Sequence, residues 1–355
     1  MSTTPVSNES LHDRRIEETV PLVSPEELLA EYPLSSELAE RVVRSRSEVT
    51  AVLDREDPRL LVVVGPCSVH DPVAALDYAR RLEALARGLP DLLVVMRVYF
   101  EKPRTTTGWK GLINDPHLDD SGDVNAGLRT ARRLLLEVLE IGLPIGCEYL
   151  DPITPQYIAD TVAWGAIGAR TTESQTHRQL ASGLSMPIGF KNRTDGNVGV
   201  AVDALRAAGA RHSFAGVELG GGSAILRTAG NADCHIILRG GRGTTNYGAE
   251  SVADTIERLR AVVLPERVII DASHDNSGKD HERQPAVAAD IAAQVAAGNG
   301  AIVGVMLESF LEAGRQEPDG ALTYGMSVTD ACMAWDTTVD VLRGLDGAAR
   351  TRRGG

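Results

Sequence analysis

The chain has 355 residues, 43% of them hydrophobic, and a formal net charge of −13, so it can bury one large core or two ordinary ones. That acidic balance argues against nucleic acid or an anionic membrane as the main partner, because both reward a basic face. No run of about 18 apolar residues offers a membrane helix, and four scattered cysteines, Cys67, Cys147, Cys234 and Cys332, suit reduced thiols in a cytoplasmic protein better than a secreted disulfide framework.

The polar start MSTTPVSNESLHDRRIEE lacks the apolar centre of a signal peptide. Residues 1–12 and the tail 346–355 are expected to be disordered, being poor in anything to bury. Residues 13–58 read as an N-terminal helical extension. Ser24-Pro25-Glu26-Glu27 supplies a helix start, and Ser35 to Leu53 carries apolar positions at helical spacing.

From Leu60 onward β-branched runs alternate with helical patterns. Strands are predicted at 60–66, 92–99, 144–149, 166–169, 187–190, 234–239, 268–273 and 301–307, with helices between them at 73–87, 124–141, 155–163, 174–183, 198–208, 250–261 and 286–297. Such alternation makes parallel βα units. Residues 212–228 read as a hairpin inserted between the fifth and sixth units. Eight remaining strands over 59–345 predict a (β/α)8 barrel with its reactive groups at the carboxyl ends of the strands. A doubly wound open sheet is the rival, weakened in its dinucleotide-binding form by the lack of G-x-G-x-x-G after the first strand.

The residues at the predicted strand ends carry chemistry. The first strand stops at Cys67 and the second at Arg97, followed by Glu101, Lys102, Arg104 and Thr105; the third stops at Glu148 and the fourth at Arg170. Lys191, Arg239, His274 and Glu308 end the remaining four, with Asp330 just beyond. A lone cation there is ordinarily a solvated loop charge. Arg97, Lys102, Arg104, Arg170, Lys191 and Arg239 converging on one mouth exceed what one phosphate needs, which implies two anionic groups or two substrates. Cys67, His274, Glu308 and Asp330 form a mixed soft and hard ligand set suited to a divalent transition metal such as Mn, Fe, Co or Zn. Taken singly, Cys67 would more often be an inert core thiol and His274 a structural histidine; their shared place on the barrel face shifts the balance. Cys147, Cys234 and Cys332 read as core, and His70 as structural or supporting. The glycine clusters at 220–224 and 240–248 lack a P-loop ending and read as turns.

The motifs GPCSVHDP (65–72), RVYFEKPRTTTGWKGLINDP (97–116), GARTTESQTHRQLASGLSMPIGFKNRTDG (168–196), GNADCHIILRGG (230–241), IDASH (270–274), GVMLES (304–309) and GMSVTDAC (325–332) resemble the type I 3-deoxy-D-arabino-heptulosonate 7-phosphate (DAHP) synthases, in their phenylalanine/tyrosine-regulated bacterial form. The similarity runs from about Asp13 to Leu342, and KPRTT separates the chain from sister synthases that make 3-deoxy-octulosonate 8-phosphate. The resemblance implies condensation of phosphoenolpyruvate with erythrose 4-phosphate and water, opening the shikimate pathway. It also implies a homodimer or homotetramer built through the extension and the hairpin. Cys67, His274, Glu308 and Asp330 match the metal ligands. Arg97, Lys102, Arg170, Lys191 and Arg239 match the positions that hold phosphoenolpyruvate, and Arg104 and Thr105 those that hold the sugar phosphate. The catalytic candidates are Lys102 as proton donor, Glu148 as the group that places water, and His274.

Asp13, Pro155, Gln156, Leu180, Leu184, Ser185 and Gly216 match the family's inhibitor-binding region. There this chain departs, reading GVELGGGSAIL at 216–226 where bacterial members read close to SVTKWGHSAIV, so insensitivity to aromatic amino acids is expected. Three other readings stay open: a different aldose phosphate, a Schiff-base aldolase using Lys191, and a non-catalytic regulatory homologue.

Overall fold

Eight short parallel strands hydrogen-bond side by side and close on themselves, which leaves no exposed sheet edge and decides between the barrel and the open sheet. The computed structural model describes residues 12–354. In chain order the barrel strands are β1 (Leu60–Gly65), β2 (Leu92–Arg97), β3 (Ile145–Glu148), β4 (Trp164–Ile167), β5 (Ile188–Lys191), β8 (His235–Leu238), β9 (Val268–Asp271) and β10 (Ile302–Glu308); an antiparallel hairpin, β6 (Ser213–Val217) with β7 (Ser223–Arg227), intervenes as a separate sheet. β1 pairs with both β2 and β10, closing the ring.

Runs such as LLVVVG in β1 are buried on both faces, as parallel strands under a helical layer must be. Leu61, Val63, Val95, Trp164, Ile237 and Ile269 fill the barrel, where Val49, Val52 and Leu53 join them from the second helix of the extension. Leu60, Val62 and Val64 face the outer layer instead, which is the two-residue period of a strand. Trp164 fits because Gly146 opposite it has no Cβ; one built there would lie 3.1 Å from the indole. Its Nε1–H donates to His235 Nε2 at 3.0 Å, and His235 Nδ1 lies 3.2 Å from the Asp233 carbonyl.

Burial pushes His235 from 6.5 down to about 3, so the ring is neutral in the fold. The unfolded chain therefore binds more protons than the native one between those values, and stability falls as pH drops below 6.5. Replacing His235 by Leu leaves the indole N–H without an acceptor. We expect a loss of about 1–3 kcal/mol at neutral pH in urea unfolding, with a weaker acid dependence; an unchanged midpoint would refute this.

The outer helices include α1 (Pro25–Glu31), α2 (Ser36–Leu53), α3 (Pro72–Ala86), α4 (Val124–Ile141), α5 (Pro155–Ile158), α6 (Gln175–Ala181), α7 (Gly199–Ala208), α8 (Ala249–Ala261), α9 (His274–Ser277), α10 (Gln284–Ala296) and α11 (Trp335–Gly354). Two expectations need correction. The helix predicted over 155–163 is only α5 and one 3-10 turn, and β4 begins at Trp164 rather than at 166. Arginines take the carbonyls that would continue this helix: Arg132 binds Tyr157 O at 2.9 Å, and Arg46 binds Ala159 O at 2.6 Å and Val162 O at 2.9 Å. The second correction concerns the chain end, where the expected disordered tail from 346 is the last part of α11, continuous to Gly354. Ala348 and Ala349 are buried, Arg353 pairs with Asp91 at 2.8 Å, and Arg352 donates to Ile302 O at 2.9 Å. The basic tail has partners at the barrel floor that sequence distance hides. The N-terminal prediction for residues 1–12 falls, except for His12, outside the described residues.

The hairpin touches the extension and the neighbouring loops: Glu26 N donates to Leu219 O at 2.8 Å, Gln156 Nε2 to Val217 O at 2.9 Å, and the Ser182 and Thr228 hydroxyls lie 2.6 Å apart.

Candidate active site

At the carboxyl end of β1, Gly65 lets the chain pass close to β2, since a Cβ would meet Arg97 O at 2.5 Å. Cys67 then lies fully buried at the mouth. The Arg97 guanidinium reaches across to it, donating to Pro66 O at 3.1 Å, Cys67 O at 3.0 Å and Glu308 Oε1 at 2.9 Å, and sits 3.7 Å over the Tyr99 ring. A buried charge this well satisfied is a permanent part of the structure.

Donor atoms of Cys67, Glu308 and Asp330 lie within 4.8 Å of one another. His274 opens α9 with φ 50, which turns its ring back toward the mouth. Its Nδ1 is 2.8 Å from Asp271 Oδ2, close but not aligned as a hydrogen bond, and its Nε2 is 3.9 Å from Glu308 Oε1. A carboxylate beside Nδ1 favours the tautomer that leaves Nε2 free to ligate, the usual support of a metal-binding histidine. Lys102 Nζ sits 2.6 Å from Cys67 Sγ and 3.1 Å from Asp330 Oδ2. Burial and then Glu308 push the Cys67 thiol up to about 11, although Lys102 pulls the other way. A thiol and two carboxylates thus converge here around the Lys102 ammonium, and the donor set fits a divalent transition metal. Burial alone would lower Lys102, yet Cys67 and Asp330 hold its ammonium well above the ordinary lysine range.

A cavity of about 290 Å³ opens beside this cluster, lined among others by Arg97, Lys102, Arg104, Thr105, Glu148, Arg170, Lys191, Arg239 and His274. All six predicted cations thus border one space. Lys191 pairs with Asp271 at 3.0 Å and Arg239 with Asp275 at 2.5 Å. Arg170, Arg104 and Thr105 are exposed, and Arg104 Nε is tied to Trp109 O at 2.8 Å. Beneath the Lys102 loop, Glu101 accepts from Asp151 N at 3.2 Å; burial and Asp151 push its carboxyl up to about 8. Sequence reasoning missed Asp271, which ends β9 and faces both Lys191 and His274. It also missed Thr106, Thr107, Thr194 and Lys279 in the lining. Asp271 could have been found as the acidic end of the apolar run VIID, whereas Lys279 in SGKDHER looks like any loop charge.

The regulatory candidates are less coherent. Gln156 reaches the hairpin that carries Gly216, Pro155 and Leu180 are buried nearby on α5 and α6, Leu184 is half-buried and Ser185 exposed. Asp13 occupies an exposed left-handed turn at φ 57 and has no hydrogen bond to the hairpin among the described residues.

The barrel and its mouth define an enzyme class: a (β/α)8 protein that holds phosphorylated or carboxylated substrates beside a set of metal donors. Residues 37–343 match the DAHP synthetase I family. Over 345 residues the chain is 55% identical to the Phe-sensitive phospho-2-dehydro-3-deoxyheptonate aldolase of Escherichia coli, covering 96% of this chain and 98% of that one. The Tyr-sensitive enzyme of the same organism is 51% identical over 342 residues, covering 95% and 96%. A solved phospho-2-dehydro-3-deoxyheptonate aldolase from Francisella tularensis superposes with a TM-score of 0.94 at 49% identity, covering 96% of this chain and all of that one. The chain belongs to the DAHP synthetase I family.

Proposed function

We propose that the chain condenses phosphoenolpyruvate with D-erythrose 4-phosphate and water to give DAHP and inorganic phosphate, the entry to the shikimate pathway. The observation that carries this reading is the donor cluster standing directly beside a cation-lined cavity, inside a family whose members do this chemistry. A divalent metal held by Cys67, His274, Glu308 and Asp330 would supply Lewis acidity toward the aldehyde oxygen.

The chain's own residues do the rest. Arg97, Arg170, Lys191 and Arg239 hold the phosphate and carboxylate of phosphoenolpyruvate, and Arg104 and Thr105 the phosphate of the sugar. As carbon 3 of phosphoenolpyruvate bonds to the aldehyde carbon, Lys102, kept protonated by Cys67 and Asp330, gives a proton to the carbonyl oxygen. Carbon 2, left electron-poor, takes up water placed by Glu148. The water returns one proton to Lys102 as it adds, and the hydroxyl it leaves gives the other to the departing phosphate as the C–O bond breaks with its electron pair on phosphate, leaving a ketone at carbon 2. Phosphate release should appear when metal-depleted protein is resupplied with one divalent metal and erythrose 4-phosphate. Turnover with another aldose phosphate alone, borohydride trapping at Lys191, or no release at all would each replace this reading.

The hairpin lacks the side chains that the family's inhibitor site uses, so activity should persist in millimolar Phe, Tyr or Trp, and strong inhibition by any of them would overturn the point. We place the subunit contact of a homodimer or homotetramer at the N-terminal segment and the hairpin, where Val20 and Ile225 stay 67% and 74% exposed. A monomer by light scattering at micromolar concentration would remove it. The four thiols are buried and unlinked, and no helix of the described residues is long and apolar enough to cross a membrane. Both suit a cytoplasmic enzyme.

A further inference from the structure

The cations of the mouth fall into two kinds. Arg97, Lys102, Lys191 and Arg239 are already paired, with Glu308 at 2.9 Å, Asp330 at 3.1 Å, Asp271 at 3.0 Å and Asp275 at 2.5 Å. Arg104, Arg170 and Lys279 line the same cavity and have no carboxylate within ion-pair distance among the described residues. An unpaired cation receives a new anion without giving up an existing partner. The family resemblance supplies roles for Arg104 and Arg170 and none for Lys279.

Strand order places these groups in two arcs. β2, β1, β10 and β9 are neighbours in the ring, as are β8, β5 and β4. The second arc carries Arg239, Lys191 and Arg170. The first carries the metal donors, with Arg104 beyond β2 at one flank and Lys279 beyond β9 at the other. An aldehyde reacting beside those donors keeps the rest of its molecule over the first arc.

Lys279 is positioned for this. Its N–H donates to His274 O at 2.6 Å, and both it and Gly278 adopt left-handed backbone, at φ 61 and 67, so its Cα is pinned against the metal-side histidine while its side chain stays exposed. The next carboxylate along, Asp280, faces Arg283 at 3.6 Å.

We infer that Lys279 is a substrate-binding residue that, opposite Arg104, receives the phosphate of the aldose phosphate. This rests on the functional reading above and adds a specificity residue to it. A charge-assisted contact to phosphate should contribute about 10–100-fold in binding.

The test is steady-state kinetics of the metal-loaded enzyme with Lys279→Met and Lys279→Arg. For Lys279→Met the KM for erythrose 4-phosphate should rise at least about tenfold while the KM for phosphoenolpyruvate stays within about twofold and kcat changes less than either. The preference for erythrose 4-phosphate over unphosphorylated erythrose, as a ratio of kcat/KM values, should shrink by a similar factor, and Lys279→Arg should recover most of it. An unchanged KM for the sugar, a parallel rise in both KM values, or an unchanged ratio would each defeat the inference. Failure of the wild-type enzyme to join the two substrates would instead defeat the functional reading, so the two failures are told apart by which protein shows them.

Discussion

Serine in place of Cys67 is expected to leave a folded protein that has lost most of its affinity for divalent metal. The substitution keeps the side chain's size in a site with no solvent exposure, so the packing around it survives. A hydroxyl does not ionise as a thiol does, and it exchanges a soft donor for a weak neutral one beside Glu308 and Asp330. Removing even an outer partner of a metal ligand costs about 10–100-fold in affinity. Loss of a direct donor should exceed that range, with activity falling in step at limiting metal. Metal content after dialysis against a chelator, beside a urea unfolding curve, reads both halves of the claim. Cys147→Ser is the control, since its thiol already donates to Val98 O at 3.1 Å and a hydroxyl can do the same. A Cys67→Ser protein that held full metal and full activity would exclude the cysteine from the centre.

Lys102→Met should give the other large effect, a fall in kcat of roughly 100- to 10,000-fold, the range of a positioned general acid. The ammonium lies between a sulfur and a carboxylate on the wall of the cavity, where it can hand a proton to a substrate oxygen. Lys102→Arg should not restore the rate, because guanidinium releases a proton poorly and its fork does not fit a point-charge site. A second consequence separates this role from simple packing. Without Lys102 the metal-free cluster keeps its negative charge uncompensated, so added divalent metal should raise the variant's Tm more than it raises that of the wild type. A kcat within about tenfold of wild type would assign the proton to another group.

Much of this was legible in the sequence because Cys67, Arg97, Lys191, Arg239, His274 and Glu308 stand where an apolar run stops. LLVVVG before Cys67, VIID before His274 and IVGVMLE ending in Glu308 mark buried strands, and closure of the barrel brings their ends together. What the sequence hides is the pairing across the ring. Lys191 and Asp271, or Arg97 and Glu308, meet only because strands far apart in the chain end at one height. The same blindness made the 346–355 tail look unstructured, although Asp91 and Ile302 were waiting for its arginines. Over 155–163 helical spacing misled, since Arg46 and Arg132 compete for the backbone carbonyls from elements far away in sequence.

The hairpin β6–β7 shares no backbone ladder with the barrel and meets its neighbours through a few hydrogen bonds and the Gln156 side chain. The hairpin shares none of the ion pairs of the mouth, so the effects of substitutions there should add to those at the mouth rather than couple with them. Selection can therefore rewrite what the hairpin binds at little risk to the reaction. A chain reading GVELGGGSAIL there, above an intact set of strand-end residues, is what such independent drift would leave.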